Sequence, residues 1–208
     1  MKMRRKQGIA LSILCTALLG LPRIAPAQAI DTSWLDWKLL DAGGVDIRTG
    51  KAERGTVTVD VAILIHAKRE KIWEILKACE IAPDYVPNVV DCVLIDSIND
   101  GQSELFIQTV KPAFFIPAFE HVFRLDYYPP SRIEVHRVSG PIAEMDGAWL
   151  LQQHDANTVL LMHTLKLQPG IPVPRMFVRA TLRRDLPVVL TAVRDRAEAG
   201  QPIARAPH

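Results

Sequence analysis

The sequence predicts an α+β fold in which a curved antiparallel sheet of about seven strands wraps around one long C-terminal helix. Residues 56–65 place Val or Ile at every odd position, which predicts a strand with a buried face. Six further strand-like segments are separated by turn residues such as Asn99, Asp100 and Gly101. Residues 175–199 carry an apolar stripe at helical spacing and form the only element long enough to cover the sheet.

The predicted elements follow in the order strand, helix, short helical turn, six strands and long helix. Residues 68–79 have apolar side chains at i, i+3, i+4 and i+7, and Pro83 and Pro87 stop this helix from continuing. Pro187 lies inside the last helix and is expected to kink it or split it. The six later strands are predicted at 89–97, 104–110, 119–128, 132–138, 147–154 and 158–167.

Residues 1–29 have the pattern of a secretory signal peptide. Basic residues within 2–6 precede an apolar run over 9–21, and Ala27 and Ala29 supply the small residues that a signal peptidase recognises. The apolar run is shorter than the ~20 residues that a spanning helix needs. We therefore predict cleavage after Ala29 and a periplasmic or secreted location. Cleavage changes the formal net charge from +2 to a negative value, so charge gives no support for nucleic-acid binding.

Three regions follow the predicted cleavage site. Residues 30–54 form a lead segment, and Trp34 and Trp37 predict that it docks on the domain, because exposed tryptophans would be costly. Residues 55–199 form one domain, and residues 200–208 form a flexible tail.

The chain has three cysteines, and Cys15 lies in the predicted signal peptide. The other two, Cys79 and Cys92, flank a stretch broken by prolines. A pair of cysteines in an exported chain predicts a disulfide, and two buried free thiols are the alternative that the spacing leaves open. No spacing of Cys and His is typical of a metal site, and we expect neither a metal nor a cofactor.

Several short motifs carry a family resemblance. They are residues 65–73, in which a strand end leads into a helix with Trp73, the Pro-rich connection 82–89, and the pair 139–141 and 147–149. Their order resembles the START-like, helix-grip superfamily, whose members include polyketide cyclase/dehydrase and coenzyme Q-binding domains. The resemblance covers residues 55–199. It implies a helix-grip fold that holds an apolar ligand between the sheet and the long helix.

Strand parity and the helix stripe predict which side chains line such a site. The predicted ligand-binding residues are His121, Phe123, Tyr127, Arg137, Trp149, His163, Leu182 and Leu186. His136 and His154 alternate with inward positions and are expected to face water. For His121 and His163 the alternative is a neutral core histidine satisfied by a neighbour. For Arg137, predicted to lie beside Phe123, the alternative is an exposed arginine at the sheet edge.

The segment 112–119 is uncharged and contains three phenylalanines in a connection where polar residues are expected. We predict a hydrophobic lip at the mouth of the site, formed by Phe114, Phe115, Ile116 and Phe119, that makes transient contact with a membrane. The alternative is a loop that folds inward and closes the core. Arg175 and Arg179 are candidates for holding an acidic headgroup.

The favoured function is an exported binding or carrier protein for a lipophilic small molecule. No strong catalytic motif is present, but distant residues can still assemble a catalytic site, so the missing motifs leave the question of enzymatic activity open; we favour a non-enzymatic role. One alternative is a cyclase or aromatase in which His121, Arg137 or Tyr127 acts as acid or base. The other is an envelope interaction module without a ligand. The sequence leaves the oligomeric state open.

The predicted cleavage site can be checked directly. N-terminal sequencing of exported protein should begin at Ile30, because Ala27 and Ala29 occupy the positions that the peptidase reads. Exported protein that retains Met1 would contradict the prediction.

Overall fold

The computed structural model describes residues 31–50, 55–112, 117–170 and 172–200. The predicted signal peptide, residues 201–208 of the predicted tail, and Phe114, Phe115 and Ile116 of the predicted lip lie outside the described residues. The helices and strands belong to the compact unit that begins at Trp34.

The order of helices and strands along the chain is as predicted: most strands follow one another directly, and the longest helix comes last. The helices are α1 (Trp37–Asp41), α2 (Arg69–Lys77), a 3-10 helix (Cys79–Asp84) and α3 (Arg175–Glu198). The strands are β1 (Asp46–Thr49), β2 (Val57–Ile65), β3 (Val89–Ile98), β4 (Ser103–Val110), β5 (Phe119–Tyr128), β6 (Arg132–Ser139), β7 (Ile142–Gln153) and β8 (Val159–Pro169).

The strands form one antiparallel sheet in the order β1-β2-β8-β7-β6-β5-β4-β3. The sheet has eight strands rather than about seven. The additional strand is β1, which lies inside the predicted lead segment and pairs Ile47 with Val61 of β2. This pairing supplies β2 with a partner on the side away from β8, so β1 and β3 are the two edges.

The main core lies between β2 and the C-terminal half of α3. The five odd residues of β2, Val57 to Ile65, are at most 1% exposed. Leu186, Leu190 and Val193 of α3 are buried in the same cluster. Removal of these apolar faces from water is the main stabilising contribution at this junction.

Both edges of the sheet also reach α3. Beyond the β1 edge, the carbonyl of Gly50 accepts a hydrogen bond from Arg179 Nη2 at 3.3 Å. Before the β3 edge, Asn88 Nδ2 donates to Asp185 Oδ2 at 3.0 Å. The curved sheet therefore holds the middle of α3 from two sides.

The second half of β2 is buried on both faces, whereas the sequence indicated a strand with one buried face. Ala62 and Leu64 point away from α3 and are nevertheless buried. α1 contacts β2, and its residue Leu40 is also buried. The lead segment covers this part of the outer face, and Arg48, in an ion pair with Asp60, stacks under the ring of Trp34.

Two predicted boundaries are wrong, and one of the two outcomes predicted for Pro187 does not occur. α2 ends at Lys77 because Ala78 leaves helical dihedrals, so Cys79 begins the 3-10 helix rather than ending α2. β7 begins at Ile142 instead of Gly147, because Gly140 at φ 109° allows a short connection from β6. α3 is not split by Pro187; the missing hydrogen bond frees the carbonyl of Arg183, which lies on an exposed part of the helix where water can bind it.

The core assignment predicts a position-dependent loss of stability. Leu190→Ala removes a fully buried side chain between α3 and β2 and should lower the free energy of unfolding by about 2–5 kcal/mol. Urea denaturation followed by circular dichroism measures this change.

Val188→Ala is the matched control, because Val188 lies on the same helix and is 50% exposed. It should change the free energy of unfolding by less than about 0.5 kcal/mol. Equal losses in the two variants would show that α3 does not pack as described.

Candidate ligand-binding site

The inner wall of the sheet continues from β2 and β8 across to β5 and β6. Phe123 pairs with Arg137, Leu125 with Val135, and Tyr127 with Ile133, which confirms the predicted odd-with-odd register. Most of these side chains are buried together with Phe106 of β4 and with residues of α2 and the 3-10 helix. The β5–β6 part of the wall is thus apolar, with polar side chains at defined points.

His121 is the most enclosed of these polar side chains. It is 4% exposed and stacks on Phe123 with 5.5 Å between the ring centroids. Its Nε2 lies 3.0 Å from Oε1 of Gln108, and Nε2 of Gln108 in turn donates to Sγ of Cys92 at 3.8 Å. Because Gln108 presents an acceptor to Nε2, the imidazole proton lies on Nε2 and Nδ1 is left as an acceptor. Nδ1 is buried and has no hydrogen-bond partner among the described residues.

Burial, and to a smaller extent the nearby positive charge of Arg137, together lower the pKa of His121 to about 4. The ring is therefore neutral at physiological pH. The backbone is also fixed at this point: a Cβ on Gly140 would lie 2.7 Å from Cα of His121. A side chain at position 140 would push β6 away from the residue that carries the free nitrogen.

Arg137 is half-buried near the end of β6, beside Phe123. Its guanidinium donates from Nη2 to the carbonyl of Gly140 at 2.8 Å and from Nε to the carbonyl of Ile142. No carboxylate within the described ranges forms an ion pair with it. The cation therefore lies at the rim of the wall without a neutralising charge.

His163 is also buried on the inner face, but its surroundings differ. Its ring stacks on Trp149 at 3.8 Å between centroids, and Nδ1 lies 3.2 Å from the carbonyl of Ala148, to which it can donate. Burial lowers its pKa to about 4 despite this hydrogen bond. His163 therefore matches the alternative given in the sequence analysis, a neutral core histidine that is hydrogen-bonded to a neighbour.

Tyr127 is already engaged on both sides. Its hydroxyl donates to Oε2 of Glu104 at 2.5 Å, and Nζ of Lys77 lies 4.3 Å from the centre of its ring. Burial, followed by the hydrogen bond and the charge of Glu104, raises the pKa of Tyr127. It therefore remains protonated and committed to Glu104.

The other predicted site residues lie either in the cluster between β2 and α3 or near His121. Leu186 is buried against β2, Leu182 is partly buried there, and Trp149 contacts both core clusters. Phe119 is half-buried at the start of β5, with its ring 6.3 Å from that of His121. His121, Phe123, Arg137 and Tyr127 are brought together, whereas the two leucines lie in the neighbouring cluster.

Sequence reasoning missed Gln108 and Glu104, the partners of His121 and Tyr127. Both lie on β4 with the parity of Phe106, whose side chain is buried. That parity is a usable signal, because polar residues in register with a buried aromatic residue face the same wall.

Cys79 and Cys92 are joined in a disulfide with their Cα atoms 5.5 Å apart. The bond connects the 3-10 helix to the edge strand β3. Closing a loop of this length stabilises a fold by about 3 kcal/mol. Cys92 is buried, whereas Val90 and Leu94 on the same edge strand are exposed.

The outer face of the sheet holds a separate charged group. Asp126, Glu134 and His136 have side-chain atoms close enough to share a cation. Arg124 donates to both oxygens of Asp126, and His136 Nδ1 lies 3.0 Å from Asp146. These groups already pair with one another.

Two surface cavities lie apart from the inner wall. One, of about 420 Å³, is lined by residues that include Leu40, His66 and Glu198. The other, of about 530 Å³, is lined by residues that include Tyr85 and Val188. Neither contains a residue of the predicted ligand-binding set.

A curved antiparallel sheet that grips a C-terminal helix, with an apolar inner wall, defines the helix-grip, START-like class of proteins. A family model described as polyketide cyclase/dehydrase and lipid transport matches residues 65–194, more than half of the chain. The chain belongs to this family.

Solved structures show the same fold. The chain is similar to an aromatase/cyclase from Streptomyces, with 19% identity, a TM-score of 0.61, and coverage of 69% of this chain and 94% of that one. It is similar to a START superfamily protein from Mycobacterium smegmatis, with 20% identity, a TM-score of 0.60, and coverage of 69% and 99%. It is also similar to a STAR-related lipid transfer protein from Xanthomonas axonopodis, with 14% identity, a TM-score of 0.61, and coverage of 73% and 98%. A sequence search of curated proteins finds no match.

The neutral buried histidines predict acid sensitivity. Because folding lowers the pKa of His163 from 6.5 to about 4, the unfolded chain binds a proton in this interval that the folded chain does not. Its contribution to stability is present above about pH 6.5 and is lost as the pH falls towards 4. When the pH is lowered from about 7 to 5, the free energy of unfolding should decrease in both proteins. The decrease should be roughly 2 kcal/mol smaller in His163→Gln than in wild type.

Urea denaturation at the two pH values measures this difference, and His154→Gln is the control because His154 is exposed. The control should follow wild type. If His163→Gln also follows wild type, His163 is not held neutral by burial.

Proposed function

We propose that this chain is an exported carrier for a lipophilic small molecule that binds between the inner wall of the sheet and α3. The observation that carries the proposal is the free Nδ1 of His121, a buried acceptor without a partner in the described part of the chain. Leaving such a group unpaired in a core costs about 1–3 kcal/mol, and a ligand that donates to it would recover this cost.

The surrounding side chains favour an amphipathic ligand. Phe106, Phe123 and Leu125 offer apolar area, and Arg137 offers a cation at the rim. A molecule with an apolar body and a hydroxyl or amide donor would satisfy the wall and Nδ1 together. The family, described as including lipid transport, is consistent with this chemistry.

Ligand binding requires the site to open, because Nδ1 of His121 is inaccessible in this conformation. The N-terminal half of α3 is suited to such a movement. From Arg175 to Asp185 no residue of α3 is fully buried, whereas Leu186, Val189, Leu190 and Val193 are. Displacing this half would break the partial packing of Leu182 and the hydrogen bonds of Arg179 and Asp185, and would leave Leu186, Leu190 and Val193 packed on β2.

The cyclase alternative is less well supported. Its predicted acid or base residues are His121, Arg137 and Tyr127. A pKa of about 4 makes His121 a weak base at neutral pH, and Tyr127 is held protonated by Glu104. These properties favour a role in orienting a ligand over one in proton transfer. The proposed export adds a second argument, since polyketide tailoring uses intracellular, carrier-bound substrates.

Native mass spectrometry of protein purified from its own envelope tests the proposal. We expect a retained apolar molecule in wild type. After delipidation, His121→Ala should rebind that molecule about three- to tenfold more weakly, which corresponds to the loss of one hydrogen bond. Arg137→Ala should also weaken rebinding if the ligand carries an anionic group.

His136→Ala is the matched control, since His136 adjoins Arg137 on the same strand but faces the outer side of the sheet. It should rebind the ligand like wild type. Spectra that repeatedly show empty protein would favour the interaction module. Unchanged rebinding by His121→Ala would remove the polar contact from the site.

A further inference from the structure

The first turn of α3 exposes two large apolar side chains. Met176 is 72% exposed and Phe177 is 60% exposed, the highest values among the large hydrophobic residues described. Neither belongs to a core cluster. Folding does not bury these two adjacent side chains, and an exposed apolar pair of this kind often marks an interaction surface.

The residues around this pair are basic. Arg175, Arg183 and Arg184 are exposed, and residues 175–184 contain no acidic side chain. Arg184 contacts Asp185 at 2.6 Å, whereas Arg175 and Arg183 have no ion-pair partner in the described ranges. Arg179 differs from these three, because it is half-buried and donates to Gly50.

Helical spacing places one arginine on the same face as each of the two apolar side chains. Met176 and Arg183 are seven residues apart, as are Phe177 and Arg184, so each arginine lies two turns beyond an apolar side chain on the same face. We call the surface formed by Arg175, Met176, Phe177, Arg183 and Arg184 the α3 patch.

The α3 patch lies close in sequence to the end of the sheet at which β8 finishes. β8 ends at Pro169 immediately before α3, and strand direction alternates from β8 to β4. The end of β4 at Val110 and the start of β5 at Phe119 therefore lie at that same end of the sheet. The chain thus enters α3 from the end of the sheet at which β5, the strand that carries His121, begins.

We propose that the α3 patch docks the protein on the surface of an anionic phospholipid bilayer. Met176 and Phe177 would enter the acyl boundary while the arginines bind lipid phosphates, as in interfacial helices with arginine beside large apolar residues. No described helix is both long and apolar enough to span a membrane. The proposal goes beyond carriage of a ligand, and attachment can be measured with delipidated protein.

Vesicle flotation tests the α3 patch. The vesicles contain phosphatidylglycerol and phosphatidylcholine in equal parts, or phosphatidylcholine alone. Met176→Ser/Phe177→Ser should lower the partition coefficient into anionic vesicles at least about tenfold. Arg175→Gln/Arg183→Gln should lower it about thirtyfold in anionic vesicles and little in phosphatidylcholine. Added salt should weaken wild-type binding to the anionic vesicles.

Two controls separate the patch from general effects. Val188→Ser changes an exposed apolar residue eleven positions beyond Phe177 on the same helix, and Lys38→Gln/Lys68→Gln removes two exposed charges elsewhere. Both should float like wild type. All proteins are purified from the exported fraction, in which residues 1–29 are expected to have been removed, so residues 9–21 do not contribute to flotation.

Equal flotation of the patch variants and wild type would overturn the proposal, as would an equal loss in Val188→Ser. Neither result would bear on the carrier, because retention of a ligand is measured separately by mass spectrometry. Conversely, empty protein with patch-dependent flotation would overturn the carrier and leave the docking surface.

Discussion

The burial of the odd face of β2 under the C-terminal half of α3 is the constraint on which the rest of the structure depends. β2 contributes an unbroken row of β-branched side chains, and Leu190 and Val193 close against it without exposed area. Because this contact anchors one half of the helix, the other half need not be buried. The hydrogen bonds of Arg179 and Asp185 then set where the sheet edges meet the helix.

This division of α3 explains where polar groups can be tolerated. Against the anchored half, His163 donates to Ala148 and packs on Trp149 as part of a filled core. Towards β5 and β6, His121 is equally buried but its Nδ1 has no partner in the described part of the chain, and the guanidinium of Arg137 donates to the backbone carbonyls of Gly140 and Ile142. The same residue type thus serves packing in one cluster and leaves an acceptor in the other. Burial keeps both rings neutral, so the difference lies in their partners.

Strand parity predicted much of this arrangement because side chains alternate with a period of two whatever the tertiary context. It placed His121, Phe123 and Arg137 on one wall from the sequence alone. Residues 45–48 had a short strand-like pattern, but the pattern did not show that this piece pairs with β2 as an eighth strand. It also could not foresee that Leu64 is buried, since a segment more than twenty residues earlier covers it. Gln108 was missed because its role depends on a residue of the neighbouring strand.

A chain of hydrogen bonds runs from the disulfide at the edge strand β3 to the imidazole of His121. Sγ of Cys92 accepts from Nε2 of Gln108, which turns Oε1 of Gln108 towards Nε2 of His121. The amide has one donor side and one acceptor side, so its orientation determines which imidazole nitrogen carries the proton. With the proton on Nε2, Nδ1 can only accept. The disulfide that joins β3 to the 3-10 helix thereby lies at the start of the chain of contacts that leaves Nδ1 of His121 as an acceptor.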